Sequence, residues 1–145
     1  MITYDNSIQF AKGKVPPVAL RNFYPPEDGF VWSSGYWSEI GFGFSGASVR
    51  ARRLADVILD ADAFKKEGHT DGQNVLLYLN GLRVGSHYIA RRTTIVVPVD
   101  PGMLKPSDNA LTFDTPNSRM PSEFGMADGR QLGIQLFSMQ IRPAG

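Results

Sequence analysis

The stretch Gln73-Asn-Val-Leu-Leu-Tyr-Leu79, Asn80-Gly81, Leu82-Arg-Val-Gly-Ser-His-Tyr-Ile-Ala90 is the part of the chain that decides the fold. Two runs rich in apolar and aromatic residues flank an Asn-Gly dipeptide, which allows the positive φ that both central residues of a type I′ turn need. The predicted register pairs Leu79 with Leu82, Tyr78 with Arg83, and Asn74 with His87. One face of this hairpin is then apolar and the other polar, which is typical of two neighbouring strands at the surface of a larger β-structure.

Further short strands are predicted on both sides of the hairpin. They are Ile8 to Phe10, one or two strands within Phe30 to Phe44 with a bend at Ser33–Gly35, Thr93 to Val99, Asn109 to Asp114, and Arg130 to Ile141. The segment from Ala47 to Phe64 fits a helical stripe and a strand face equally well, and we favour a strand from about Ala51 to Asp60 because the sequence after it is all β. About eight short strands joined by turns predict an all-β fold, a two-sheet antiparallel β-sandwich of jelly-roll type.

The predicted inner faces of this sandwich carry apolar side chains from most of its strands. They are Ala55, Val57, Leu59, Val75, Leu77, Leu79, Val84, Val97, Leu111, Phe113, Leu132, Ile134 and Leu136. We expect residues 1–145 to form one β-sandwich domain, in which residues 1–22 are a lead-in segment with an edge strand. The length of 145 residues suits one domain with its own core.

Composition and charge exclude several classes of function. The chain has 15 Lys and Arg against 14 Asp and Glu, so it lacks the basic excess that neutralises phosphates, and we expect no nucleic-acid partner. It contains no Cys, which removes disulfides and thiolate metal sites. No apolar run approaches about 18 residues, so we expect no membrane insertion. The lack of Cys and of a signal-peptide pattern favours the cytoplasm.

Motifs for catalysis are weak in this chain. Residues Gly41 to Gly46 spell G-x-G-x-x-G, but no βαβ alternation follows, so we interpret these glycines as strand bends rather than as a dinucleotide site. Only His69 and His87 are available as imidazole bases, and their spacing is not that of a zinc site. Loop carboxylates leave a small carbohydrate-active enzyme open; the candidates are Glu27, Asp28, Glu39, Glu123 and Asp128. We nevertheless expect a protein without catalytic residues.

Aromatic side chains are concentrated between residues 23 and 44, where both tryptophans of the chain lie. Sugar rings offer an apolar C–H face and a rim of hydroxyls, so a saccharide site pairs aromatic planes with carboxylates, amides and Arg. We predict such a site, with the ligand-binding residues Trp32, Trp37, Tyr24, Tyr36, Glu39, Asn117 and Arg119. The alternative is that the aromatic cluster is core and that the protein is a structural or protein-interaction sandwich. In that case Arg50, Arg52, Arg53, Arg91 and Arg92 would dock an acidic partner.

Several short motifs resemble one known group of domains. They are Phe23-Tyr-Pro-Pro-Glu-Asp-Gly29 followed by Phe30-Val-Trp-Ser-Ser-Gly35, Val75-Leu-Leu-Tyr-Leu-Asn-Gly81, Asn109-Ala-Leu-Thr-Phe113, Pro121-Ser-Glu-Phe-Gly125, and Ala127-Asp-Gly-Arg-Gln-Leu-Gly-Ile134. Together they are similar to the jelly-roll, galactose-binding-like accessory domains of bacterial glycosyltransferases and polysaccharide-assembly proteins. The resemblance implies a non-catalytic module that binds carbohydrate or packs on a glycosyltransferase domain.

The resemblance also carries expectations for individual residues. Trp32, Glu39, Asp128 and Arg130 occupy the matching positions, and we interpret Asp128 and Arg130 as a structural charged pair that pins the last loop to a sheet edge. Such sandwiches often hold a structural calcium ion between loops. This chain has no D-x-D-x-D-G run, so calcium remains an option without a motif and no other cofactor is expected.

Overall fold

The computed structural model describes residues 1–46 and 54–144, and in these ranges it contains twelve β-strands. They are β1 (Ile2–Thr3), β2 (Ile8–Gln9), β3 (Ala19–Arg21), β4 (Val31–Ser34), β5 (Trp37–Phe42), β6 (Phe44–Ser45), β7 (Ala55–Ala63), β8 (Gln73–Leu79), β9 (Leu82–Ile89), β10 (Thr93–Val99), β11 (Asn109–Asp114) and β12 (Leu132–Pro143). Short 3₁₀ turns occur at Pro101–Met103 and Pro121–Phe124. No helix in the described ranges is long and apolar enough to cross a membrane.

The strands form two antiparallel sheets. Sheet I has the order β10–β7–β12, and the far edge of β12 pairs first with β4 and then with β2. Sheet II has the order β3–β5–β11–β8–β9. From β2 to β12 the chain passes from one sheet to the other after almost every strand, and only the β8–β9 hairpin joins two consecutive strands within one sheet, so the strand order is that of a jelly roll, as the sequence predicts. A short parallel pair, β1 with β6, lies beside them.

The core lies between the two sheets and follows the predicted alternation. In β7 every second residue is buried, from Ala55 to Ala63, which confirms a strand rather than a helix in this part of the chain. Residues 51–53, where we expected that strand to begin, lie outside the described residues. All predicted inner-face residues are buried except Val84, which packs half-buried at the side of the core. The lead-in segment contributes Ile2, Ile8 and Phe10 to the same core.

The β8–β9 hairpin turns as predicted but changes register along its length. Asn80 and Gly81 have φ of 51° and 85°, as a type I′ turn requires. Beyond the pair of Tyr78 with Arg83, strand β9 contains one extra residue, so that Leu77 faces Gly85. The predicted pairing of Asn74 with His87 is therefore wrong. A β-bulge of this kind exchanges the two faces of a strand.

The end of the sandwich at the Asn80–Gly81 turn is called the closed end below, and it includes the segment 100–108 and the start of β11. Asn109 is buried there; its Oδ1 accepts a hydrogen bond from Lys105 N at 2.8 Å, and its Nδ2 donates to the carbonyls of Lys105 and Phe42. Asn80 Oδ1 accepts from Ala110 N, and its Nδ2 donates to Met103 O. Two side-chain amides thus join three loops.

The G-x-G-x-x-G run lies at this end and consists of the end of β5, the short strand β6 and the residues beside it, rather than of a phosphate loop. Gly41 belongs to β5, and Gly43 separates β5 from β6. A Cβ at Gly43 would collide with the Pro106 carbonyl oxygen, so the glycine lets the segment before β11 approach the end of β5. This confirms the structural interpretation of the motif.

The opposite end is called the open end, and it consists of the β4–β5 turn, the segment 64–72 and the segment 115–131. Its base is made of buried hydroxyls. Ser33 Oγ accepts a hydrogen bond from Ile134 N at 2.8 Å, and Thr115 Oγ1 donates to Gly35 O at 3.2 Å. The Thr115 backbone N–H donates to Tyr36 O, so the β4–β5 turn is fixed to the loop that follows β11.

Candidate functional site

An open cavity of about 400 Å³ lies at the open end, beside the edge of sheet II. It is formed by the segment before β8, the last residues of β9 and the loop after β11. Its lining residues are His69, Thr70, Asp71, Gly72, Asn74, Tyr88, Pro116, Asn117 and Arg119. Two of the predicted ligand-binding residues, Asn117 and Arg119, are among them. An aromatic ring, two amides, a carboxylate, an imidazole and a guanidinium therefore meet around one depression.

Tyr88 is the aromatic side chain of this cavity and is 57% exposed. The bulge in β9 places it opposite Asn74, on the outer face of sheet II. Its ring lies against Gly72, because a Cβ on that residue would come within 2.8 Å of Tyr88 Cζ and 2.9 Å of Tyr88 Oη. The absence of a side chain at position 72 thus provides the room in which the phenol ring rests.

Asn117 is held in one orientation by Asn74. Its Oδ1 accepts hydrogen bonds from the Asn74 backbone N at 3.0 Å and from Asn74 Nδ2 at 2.8 Å. Among the described residues, no acceptor receives a hydrogen bond from Asn117 Nδ2. This amide group therefore has a fixed oxygen and two N–H donors available to a ligand in the cavity.

Arg119 lies in a stack of three planar groups at the rim. Its guanidinium lies 5.2 Å from the ring centre of Phe124, and the His69 ring stacks on the same phenylalanine at 4.6 Å. Arg119 Nε and Nη2 both contact Glu123 Oε2, at 2.8 and 2.7 Å. The hydrogen bond from Arg119 lowers the pKa of the Glu123 carboxyl below its usual range. This pair neutralises itself and orders the rim.

Trp37, Glu39 and Tyr36 lie on the same side of the molecule but outside the cavity. Trp37 and Glu39 project from the outer face of sheet II, and Trp37 is 42% exposed. The Arg21 guanidinium lies 5.6 Å from the Trp37 ring centre and 3.7 Å from Glu39 Oε2. Tyr36, in the β4–β5 turn, is exposed. These three residues border the open end without joining Asn117 and Arg119 in one pocket.

Trp32 lies on the other side of the molecule, and the structure does not bring the two tryptophans together. The chain reverses at Gly35, whose φ is 71°, so β4 belongs to sheet I and β5 to sheet II. Trp32 is half-buried on the outer face of sheet I, edge-on to Phe30 with ring centres 6.2 Å apart. The predicted saccharide site contains both Trp32 and Trp37, and one site that contains both rings is not compatible with this fold.

Tyr24, Asp128 and Arg130 form a bonded cluster below the last loop. Arg130 donates to both carboxylate oxygens of Asp128, between 2.9 and 3.2 Å, and reaches Glu27 at 3.4 Å. Tyr24 Oη accepts from Gln131 N at 2.7 Å, and the Arg130 guanidinium lies 5.4 Å from the Tyr24 ring centre. The hydrogen bonds from Arg130 lower the pKa of Asp128. Tyr24 has its hydroxyl engaged here and does not face the cavity.

Calcium was the one metal that the family resemblance left open. Within residues 1–46 and 54–144, no group of three or more His, Asp or Glu side chains is arranged to hold a metal ion. Calcium sites in proteins are built mainly from carboxylate and carbonyl oxygens. In the cavity Asp71 is the only carboxylate among the lining residues. The described residues therefore do not fit a carboxylate-rich calcium site.

Four features of the cavity escaped the sequence analysis: Tyr88, Asn74, His69 and Asp71. Tyr88 was missed because only the bulge in β9 brings it to the outer face beside Asn74. His69 and Asp71 lie in a segment without a recognisable motif. The only hint in the sequence is that Gly72 follows them directly before a strand.

Of the predicted docking arginines, Arg50, Arg52 and Arg53 lie outside the described residues. Arg92 is bound to Asp60 through two hydrogen bonds.

Comparisons with known proteins find likeness in solved structures only. No protein-family model matches the chain, and no curated protein does. The CBM36-1 domain of a multidomain xylanase from the hindgut metagenome of Trinervitermes trinervoides matches with a TM-score of 0.48 and 15% identity, over 97% of this chain and 98% of that one. A carbohydrate-binding module CBM36 in complex with calcium and xylotriose matches with a TM-score of 0.44 and 13% identity, over 94% and 98%.

A longer protein also contains a similar fold. An acetyl xylan esterase, Est2A, from the rumen bacterium Butyrivibrio proteoclasticus matches with a TM-score of 0.51 and 8% identity, over 97% of this chain and 34% of its own. This chain thus spans nearly the whole of the two carbohydrate-binding modules and about a third of the esterase. At these identities, the likeness concerns the course of the chain and the β-sandwich fold.

Proposed function

We propose that this protein is a non-catalytic carbohydrate-binding module whose site is the cavity at the open end. The observation that supports the proposal most directly is the position of the exposed Tyr88 ring beside Asn74, Asn117 and Asp71 around one open depression. An aromatic plane takes the C–H face of a sugar, while amides and a carboxylate take its hydroxyls. The site is shallow and hydrated, so we expect a Kd of roughly micromolar to millimolar.

The chemistry of the cavity suits binding better than catalysis. Glu123 is held as a carboxylate by Arg119, and its lowered pKa makes it a poor proton donor near neutral pH. His69 is stacked on Phe124, which restricts its ring orientation. A glycosidase needs one carboxyl that stays protonated and a second that is ionised. Asp71 is the one carboxylate among the described residues that line the cavity, so a pair of carboxyl groups does not meet there, and we assign the polar groups to hydrogen bonding.

The test begins with a glycan array that includes neutral and acidic bacterial polysaccharide fragments, with every hit confirmed by calorimetry. Tyr88→Ala is then compared with Tyr36→Ala, a tyrosine of almost equal exposure, 59% against 57%, that does not line the cavity. We expect Tyr88→Ala to weaken binding by about tenfold or more, the order expected for loss of one aromatic contact. Tyr36→Ala should bind a disaccharide as the unchanged protein does.

Equal losses in the two variants would place the ligand away from the cavity and overturn the proposal. Circular dichroism and the thermal midpoint of both variants separate loss of binding from loss of folding. Asn117→Ala supplies a second, independent variant, because it removes the available amide donors while leaving the Tyr88 ring in place. Absence of binding across the whole array would contradict carbohydrate recognition.

A second candidate is a docking function, on a glycosyltransferase domain as the resemblance implies or on another protein. The aromatic outer face of sheet I favours it: Phe30 lies between Trp32 and Phe137, with ring centres 6.2 and 5.9 Å away. The Arg92 guanidinium covers Phe137 at 3.6 Å and is bound to Asp60. A partner on this face would shift Trp32 fluorescence and protect the strands of sheet I from hydrogen exchange, whereas a sugar in the cavity would not.

A further inference from the structure

The cavity does not end at its rim but continues onto the outer face of sheet II. The register of the strands places Trp37, Asp114, Leu76 and Ser86 in one row across β5, β11, β8 and β9. The next row toward the open end contains Asn74 and Tyr88, which line the cavity. Asp114 and Leu76 are half-buried, and Ser86 is exposed. The surface between Tyr88 and Trp37 thus alternates apolar contact area with a hydroxyl and a carboxylate.

The two exposed aromatic rings are too far apart for one sugar. Trp37 and Ser86 are separated by three strand spacings and Tyr88 lies one row further, which places Trp37 and Tyr88 about 16 Å apart at Cα. A 1,4-linked sugar ring advances a chain by roughly 5 Å, about one and a half residues of extended peptide. A disaccharide therefore reaches one ring only, whereas a chain of about four rings reaches both.

The charges on this surface restrict the sugars that it can accept. Arg119 is paired with Glu123, and Arg21 is paired with Glu39. No ion pair to Asp71 or Asp114 occurs within the described ranges, so these carboxylates leave a negative balance in the cavity and in the row that contains Trp37. Arg83 is on the same face but toward the closed end, opposite Tyr78. Carboxylates accept hydrogen bonds from hydroxyls and repel acidic sugars.

We infer, on the basis of the proposed function, that the ligand is an extended and uncharged oligosaccharide of about four rings, bound with one end at Tyr88 and the other at Trp37. Arg21, beside the Trp37 ring, supplies donors to the hydroxyls at that end. The cavity is then the first subsite of a longer surface site. A polymer can bind there along its length, because the surface is open rather than closed around a chain end.

The test uses ladders of neutral 1,4-linked gluco-, xylo- and manno-oligosaccharides from two to six rings, with oligogalacturonates as the charged counterpart. The variant Trp32→Phe has a single tryptophan, Trp37 on sheet II. The variant Trp37→Phe also has a single tryptophan, Trp32 on sheet I. Titration of the two single-tryptophan proteins reports which face of the sandwich the sugar covers. Trp37→Ala, checked for folding by circular dichroism, measures what the distant ring contributes.

The expected result has four parts that stand together. The Kd for one neutral ladder falls about tenfold between two and four rings and then stays level, since only one further aromatic contact is gained. Trp37 fluorescence responds to the longer members only, and Trp32 fluorescence responds to none. Trp37→Ala removes the gain with chain length but leaves the Kd for the disaccharide unchanged. Oligogalacturonates bind more weakly than the neutral ladder.

Three other results would each overturn a different part of the proposal. Neutral sugars that bind with a Kd independent of chain length, or without a Trp37 response, overturn the extended site but leave the cavity site in place. Tighter binding of oligogalacturonates overturns the uncharged ligand class. If no member of any ladder binds and the glycan array is also silent, the proposed function itself is wrong, and the extended site is excluded with it.

Discussion

At the closed end the loops are held by the side chains of the buried Asn109 and the half-buried Asn80, whereas at the open end they rest on buried hydroxyls beneath a layer of exposed groups. Asn109 is 1% exposed and binds backbone groups of two loops. Among the described residues, the Asn117 side chain at the open end binds only Asn74, and its amide donors face the solvent. The same residue type thus secures the fold at one end and faces the cavity at the other. Satisfied polar groups stabilise, and available ones bind ligands.

The largest effect is expected for Asn109→Ala at the closed end. The variant leaves the Lys105 N–H and the Phe42 carbonyl without their partner inside the protein, so the free energy of unfolding should fall by about 3 kcal/mol. Asn117→Ala, the same change at the open end, should lower it by less than about 1 kcal/mol. Urea denaturation of the two variants measures the difference, and equal losses would remove the distinction between the two ends.

Gly133→Ala tests whether the base of the open end is as tightly packed as the closed end. A Cβ there would lie 2.9 Å from Ser33 Oγ and 2.9 Å from Thr115 Cβ, both on buried residues. We expect a loss of about 2 kcal/mol in the free energy of unfolding. Gly129→Ala in the preceding loop is the control, since nothing lies within 4 Å of the added carbon. If Gly133→Ala left the free energy of unfolding unchanged, the residues around Gly133 would have moved to make room for the added carbon, and the base of the open end would not be tightly packed.

Trp32→Ala separates the two faces of the sandwich rather than its ends. Trp32 is half-buried against Phe30 on sheet I, so its loss should cost about 1 kcal/mol of stability. Carbohydrate affinity should stay unchanged, because the cavity belongs to sheet II. Thermal melts and calorimetry on one preparation give both values. A large loss of carbohydrate affinity at unchanged stability would instead show that Trp32 belongs to the ligand-binding site.

The smallest effect is expected from the pH dependence of Asp128. Its pKa is lowered in the folded protein by hydrogen bonds from Arg130, so its contribution is complete above the unfolded value of about 4 and is lost as the pH falls through the folded pKa. Asp128→Asn should therefore be slightly less stable than the unchanged protein at pH 7, and the difference should shrink as the pH falls below about 4. Urea midpoints at several pH values provide the measurement; a constant difference would contradict this pairing.

Much of the fold was predictable because several of its determinants are local. The Asn80–Gly81 turn depends on neighbouring residues and is confirmed. In β7 the local pattern fitted a helix and a strand equally well; the strand was favoured because the sequence after it is all β, and it is confirmed. The jelly-roll order follows from many short strands whose apolar faces must be covered by a second sheet. The role of Gly133 was less accessible, since it depends on Ser33 and Thr115, which approach it from distant parts of the chain.

The candidate site was predictable only in part, and the β-bulge explains much of the difference. With strict alternation, Asn74 faces His87 and Tyr88 points into the sandwich. One extra residue after Arg83 reverses this and brings Tyr88 to the surface beside Asn74. Asn117 was proposed because long loops before a final strand often bind ligands, and it does line the cavity. The separation of the two tryptophans depends on how the sheets divide β4 from β5, which no local pattern encodes.

The Asn80–Gly81 turn also bears on the chemical ageing of the protein. An asparagine before glycine is prone to deamidation, in which the glycine nitrogen attacks the side-chain carbonyl carbon and ammonia leaves. Here the amide that would react is already engaged: Asn80 Oδ1 accepts from Ala110 N at 2.8 Å, and Nδ2 donates to Met103 O at 2.8 Å and to Asn109 Oδ1 at 3.2 Å. Cyclisation would have to break these contacts first. The hydrogen bonds that join the loops at the closed end therefore also protect the Asn80–Gly81 turn from deamidation.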